Sequence, residues 1–284
     1  MASIGTVFEA EGLVDHEFPM VPDGGNRRYR IRWGRGLILL LAGAYFLLPI
    51  YAALKFSLQN IDGKFSLSPI TAIPSQPGLG AAFFLSVRLA IVTMVITMLL
   101  MVPTVIYVHL KMPRFRRVME VVTILPIVIP PIVLILGVLH AAPLWLKSSP
   151  YLLSLVYVIL AMPFVYRSLD SGLGALDVKT LVEASRSLGA GWIATIWRVL
   201  VPNLRAAILS ATVLTVALVL GEFTMASLDL WETLPVWIVD FDQTNAHIST
   251  AVAMLSLIGT WVLLTLIISL DRPRSGKLRR NRTS

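Results

Sequence analysis

Glu222 is the ionisable residue in the least favourable setting in this chain, a carboxylate in Leu-Gly-Glu-Phe-Thr inside an apolar run from about Leu204 to Ala226. A charge beside lipid is costly, so such a side chain faces a bundle interior or a water-filled path, or is hydrogen-bonded or protonated near a helix end. Its chemistry is electrostatic: contact with a solute, or a structural bond. The segment that follows, to about His247, carries Asp229, Glu232, Asp240 and Asp242 and no Lys or Arg. That face would attract a cationic solute or a basic rim on a partner. The plainer explanation is that exported loops avoid cations. Trp231, Trp237 and Phe241 in the same segment could stack on a ligand, although an interfacial aromatic belt more often accounts for such residues.

Other chemistries lack their residues. His16, His109, His140 and His247 fall in unrelated segments, so no metal-ligand spacing exists. Without cysteine there is no disulfide, thiol nucleophile or thiolate metal site. Ser275-Gly276-Lys277 has no upstream glycine to complete a phosphate-binding loop, so the chain has no nucleotide site of that kind. Nothing here suggests an enzyme or a cofactor.

The elements that must hold these residues are membrane helices. With 56% apolar residues, 14% charged and a mean hydropathy of +0.79, the 284-residue chain lies far from soluble composition. Apolar runs at about 36–56, 81–108, 118–139, 151–166, 204–226 and 248–270 are long enough to span a bilayer. Pro126, Pro130 and Pro131 interrupt the third, and the carbonyls they free need partners in protein or water, so that span packs inside or lines a cavity. The net charge of +8 follows topology rather than a nucleic-acid face. Cations cluster at Arg27, Arg28, Arg30, Arg32 and Arg35, at Lys111, Arg114, Arg116 and Arg117, across 167–203, and from Arg272 to Arg282, whereas the alternate loops hold only Lys64 and Lys147. Lys55 and Arg88 sit near the outer ends of spans one and two. The positive-inside rule then gives an all-α membrane protein of six spans with both termini cytoplasmic. The expected divisions are a tail over 1–35, a transmembrane domain over 36–270 and a basic tail over 271–284.

Between spans four and five, residues 183–202 read Glu-Ala-Ser-Arg-Ser-Leu-Gly-Ala-Gly-Trp-Ile-Ala-Thr-Ile-Trp-Arg-Val-Leu-Val-Pro. Ala184, Leu188, Trp192, Ile196 and Leu200 recur every four residues, giving a helix with one apolar flank. Gly189, helped by Gly191, can break it in two, and Pro202 is expected to close it. An amphipathic pair lying on the inner headgroups would share this composition. The stretch resembles the EAA loop of ATP-binding-cassette importer permeases, matching at Glu183, Ala184, Gly189 and Pro202, with Ser185, Val199 and Val201 as small departures.

The resemblance, which spans nearly the whole chain, implies a permease subunit in a bacterial inner membrane. Glu183, Ala184, Leu188, Gly189, Trp192 and Pro202 would dock on a separate ATPase that binds ATP and Mg. A second permease subunit would complete the pathway, and an extracytoplasmic binding protein would deliver the solute. The Gly221-Glu222-Phe223 stretch and the acidic loop after it are similar to the polyamine branch, spermidine and putrescine, with Glu222, Asp229 and Glu232 as pathway residues. Permeases for ferric iron, phosphonate, and sulfate or molybdate are its relatives. A secondary transporter would need more intramembrane carboxylates than Glu222 and the marginal Glu120.

Overall fold

In a computed structural model, residues 33–60 and 62–269 are described, and for 33–35 the backbone alone. The basic cluster over 27–32, the acidic tail before it and the basic tail from Asp271 lie outside these residues. The chain divides into two compact units, 1–49 and 50–284. Among the described residues no β-strand forms, and an isolated antiparallel bridge joins Gln59 to Phe65.

Fourteen α-helices follow one another among the described residues: α1 Trp33–Ser57, α2 Ser68–Thr71, α3 Leu79–Lys111, α4 Arg116–Val128, α5 Pro131–Ala141, α6 Leu144–Lys147, α7 Tyr151–Gly174, α8 Val178–Ser187, α9 Trp192–Thr195, α10 Val201–Asn203, α11 Arg205–Leu220, α12 Thr224–Leu228, α13 Leu234–Asp242 and α14 Ala246–Ser269. Among the described residues, α1, α3, α7 and α14 are each long and apolar enough to cross a bilayer, and two bent helix pairs bring the count to six if each pair is one span.

The centre of the second unit is α7, packed on α3 and α11. Their shared core has two parts. Met101, Val105, Ile106, Ala161, Val165, Leu169, Leu173 and Ala211 fill the half nearer residues 178–204, and Leu89, Ala90, Leu153, Val156, Tyr157 and Val219 fill the other. Gly172 permits the closest approach of α7 to α11, because a Cβ there would lie 2.5 Å from the Ala207 Cβ. A further cluster of Ala82, Leu234, Trp237, Ile248 and Val252 ties α13 and α14 to the start of α3.

The third apolar run departs from the straight span that its hydropathy suggests. Its helix stops at Val128, restarts at Pro131 and turns through 95° between Pro113–Val128 and Pro131–Ala141. Adjacent prolines cause the corner: Pro131 disfavours helical backbone at Pro130, whose ψ is 135°, and both lack an N–H to continue the ladder. The fourth run extends past Tyr166 to Gly174, carrying Arg167 and Asp170 as part of the helix. The fifth ends at Leu220 rather than near Ala226, and Gly221 to Phe223 separate it from α12.

Candidate functional site

The segment 177–203 forms two helical pieces joined at a glycine. Asp177 starts α8 by accepting bonds from the Thr180 N–H at 3.3 Å and the Thr180 hydroxyl at 2.7 Å. Those two bonds hold the Asp177 carboxyl below its ordinary pKa. Glu183 is exposed on α8, with its carboxylate 3.9 Å from Lys179 Nζ, and Ala184 is exposed beside it. Gly189 has φ +83°, and the Gly189 and Ala190 N–H groups bond back to the Arg186 and Ser185 carbonyls. That left-handed conformation is what glycine supplies at a helix end.

Across the turn, the Ser185 and Thr195 hydroxyls lie 3.0 Å apart and buried. Trp192 is flanked by the Lys111 ammonium at 5.0 Å and the Arg186 guanidinium at 5.3 Å from its ring centroid. The two faces of the segment differ sharply. Val178, Val182, Leu200 and Leu204 are buried, with Ile196 packed against them, whereas Leu188 is 88% exposed and Ile193 and Trp197 are exposed as well.

The four-residue periodicity therefore does not mark one continuous flank. The break at Gly189 separates exposed Leu188 from fully buried Leu200. Pro202 also behaves differently from expectation, lying within α10 instead of ending a helix. Ile196–Leu200 is wound as a π turn, with the Val201 N–H reaching the Ile196 carbonyl, and the Asn203 amide donates to the Val199 carbonyl at 2.7 Å. The chain breaks at Leu204, with a 77° bend between Trp192–Asn203 and Arg205–Leu220.

Next to this segment, the Arg116 guanidinium grips both oxygens of Asp170 at 2.6 Å, and the Tyr166 hydroxyl donates to the Arg116 carbonyl at 2.8 Å. Arg167 and Glu120 approach to 3.8 Å. The start of α4 is thereby fastened to α7.

At the other end of α7, Glu222 is hydrogen-bonded rather than open. It accepts from the Tyr157 hydroxyl at 2.8 Å, the Met225 N–H at 2.8 Å and the Ala226 N–H at 3.3 Å, which caps α12. Asp229 and Glu232 are not among its bonded partners. The half-buried Asp229 keeps one oxygen without a partner, and burial raises its carboxyl to about 6. Glu232 is exposed. Among the described residues, no group of three or more His, Cys, Asp or Glu side chains could hold a metal ion.

Of known proteins, a probable molybdenum ABC transporter permease of Haloferax volcanii is 32% identical over 270 residues, which covers 90% of this chain and 97% of the relative. The chain belongs to the ABC transporter permease family. A sulfate transport system permease of Synechococcus elongatus is 31% identical over 133 residues, 44% of the chain and 46% of that protein. A molybdenum transport system permease of Mycobacterium tuberculosis is 29% identical over 165 residues, 54% and 62% respectively. No family model matches the sequence. These relatives are transport proteins, and with the apolar helices above they make this permease a multi-pass membrane protein. None of the three supports the polyamine assignment, which rested on the Gly221-Glu222-Phe223 stretch and an acidic loop.

The permease also carries pairs that sequence reasoning missed: Arg116 with Asp170, Tyr157 with Glu222, and Arg88 with Tyr151. Their separations of 54 to 65 residues leave no periodic signal, although an Arg or a carboxylate inside an apolar run is itself a sign that a partner is needed.

Proposed function

We propose that this permease forms half of the solute pathway of an ATP-driven importer in a bacterial inner membrane, and that its solute is a tetrahedral oxyanion, sulfate or molybdate. The observation that carries the solute class is the near full-length similarity to a molybdenum permease, joined by sulfate and molybdenum permeases over shorter stretches. A cationic polyamine has only the acidic outer segment in its favour, and the charge of Glu222 is already engaged by Tyr157 and the start of α12.

In this reading the six apolar runs each cross the membrane once, with both termini in the cytoplasm, tails over 1–35 and 271–284 and the transmembrane domain between them. The segment 183–202 docks on a separate ATPase that binds ATP and Mg. Leu188, Ile193 and Trp197 are the apolar tip that a groove on that partner would cover. Glu183, Ala184 and Trp192 flank it, Gly189 shapes the turn, and the stretch through Pro202 transmits partner movement into α11 as a rigid-body push. A second permease subunit completes the pathway and an extracytoplasmic binding protein delivers the solute. Glu222 serves as a positioning group for the outer turn, while Asp229 and Glu232 line the outer face.

The test is uptake by the assembled transporter of labelled molybdate and sulfate against labelled putrescine, with ATPase co-purification of the wild type and of a variant lacking residues 183–200. Anion uptake, and loss of the ATPase with the deletion, are expected. Putrescine uptake without anion uptake would overturn the solute class, and ATPase retained by the deletion variant would overturn the docking site.

A further inference from the structure

Resting on the oxyanion reading, we infer that Arg88 meets the anion at the outer mouth of the pathway. Helix α3 has 33 residues, so it is about 50 Å long against a hydrocarbon core of about 30 Å. Arg88 lies about 14 Å from Leu79 and about 35 Å from Lys111 along that axis, level with the edge of the core opposite the coupling segment.

Its surroundings are apolar. Phe84, Ile91 and Val95 share its face of α3, and all are exposed. At the edge of the core a guanidinium on such a face reaches either the headgroups or a water-filled path.

Among the described residues, Arg88 is one of several cations without a carboxylate partner, as are Lys111 and Arg186 over Trp192. Arg116 is neutralised by Asp170, Arg167 faces Glu120, and Lys179 faces Glu183. Arg88 instead donates to the Tyr151 hydroxyl and lies over the Tyr151 ring, 4.7 Å from its centroid, and no carboxylate among the described residues pairs with it. Tyrosine orients the guanidinium without cancelling its charge. A guanidinium has five N–H donors in a planar fork that fits an oxyanion edge-on, and one bond to a hydroxyl leaves most of them unspent. The segment 222–242 adds five carboxylates and no cation, which would repel a dianion. Arg88 is the helix-held charge that offsets them. An arginine that merely reached for the headgroups would need neither the tyrosine clamp nor a particular charge.

Because the chain has no cysteine, R88C introduces a unique thiol. In the complete transporter, R88C is expected to lower molybdate and sulfate uptake about tenfold, the loss that goes with one charge-assisted bond, while ATPase co-purification stays at the wild-type level. Aminoethyl methanethiosulfonate, which restores a positive charge, recovers at least half of the uptake, and the neutral methyl reagent does not. Saturating molybdate slows modification by the anionic sulfonatoethyl reagent. Wild-type complex treated in parallel controls for thiols on other subunits. Undiminished uptake by R88C, or equal recovery with the neutral reagent, overturns the proposal. Should R88C fail to assemble, R88K and R88Q decide: higher uptake by R88K than by R88Q supports it, and equal uptake by the two assembled variants overturns it. If the wild type carries putrescine and neither anion, the oxyanion reading falls; if it carries the anions and R88C is unaffected, only the role of Arg88 falls.

Discussion

Ser185 and Thr195, ten residues apart in sequence, face each other at 3.0 Å across the glycine turn, with both side chains buried. Thr195 also bonds to the Gly191 carbonyl at 3.1 Å. The turn is thus held by a hydroxyl pair at its base and by backbone bonds at its tip. In Thr195→Val, shape is kept but Ser185 loses its buried partner, a cost of about 1–3 kcal/mol. The expected outcome is a lower Tm for the detergent-solubilised protein and weaker ATPase co-purification. Ser185→Ala combined with Thr195→Val should recover part of the loss, because neither hydroxyl is then left unpaired.

Gly189 tests conformation apart from packing. A Cβ there would meet nothing within 4 Å, yet φ is +83°. Gly189→Val should therefore cost about 1–2 kcal/mol through backbone strain alone, while Gly189→Asn, which tolerates this region better, costs less. Comparing the Tm of the two variants checks the order.

Gly172 is the opposite case. Its Cβ would stand 2.5 Å from the Ala207 Cβ, so Gly172→Ala forces α7 and α11 apart at a cost of about 1–3 kcal/mol. Ala207→Gly in the same chain should return most of that stability. A double-mutant cycle on thermal unfolding reads the coupling directly.

Glu222 can be separated into its two bonding roles. Glu222→Ala strands the Tyr157 hydroxyl and the first N–H groups of α12, and about 1–3 kcal/mol of stability should go with them. Glu222→Gln keeps an acceptor oxygen and should lose less. If uptake falls in step with Tm across the pair, Glu222 acts by positioning; a fall in uptake with Tm unchanged would instead point to solute contact.

Asp229 gives a pH dependence of known sign. Burial raises its carboxyl from 3.8 to about 6, so the folded protein holds the proton more tightly than the unfolded chain. The stability it contributes is fully present below about 4 and is lost as pH rises through 6. Asp229→Asn should flatten the Tm profile between those values. A wild-type profile with no downward slope there would contradict the burial of this group.

The turn at Gly189 was legible in the sequence because glycine acts on its own backbone, whereas the helix end expected at Pro202 falls at Leu204 instead. The helical, membrane-crossing character was likewise legible from the apolar runs. The corner at Pro130 was only half legible, since prolines announce a disturbance but not its angle. What stayed hidden depends on distant chain segments meeting: the clamp of Arg116 on Asp170, the Tyr157 bond to Glu222, and Tyr151 beneath Arg88. For Glu222 the apolar setting left solute contact and a structural bond both open, because a charge in an apolar run does not tell a ligand from a cap.

Helix α7 joins two anchored ends. Near Gly174 it is fastened to α4 through Asp170, and near its start it holds Tyr157 against Glu222. Pro163 lies between those anchors and supplies no N–H to the helix, so inserting or deleting one turn beside it would shift one anchor against the other by about 5 Å while leaving both ends chemically intact.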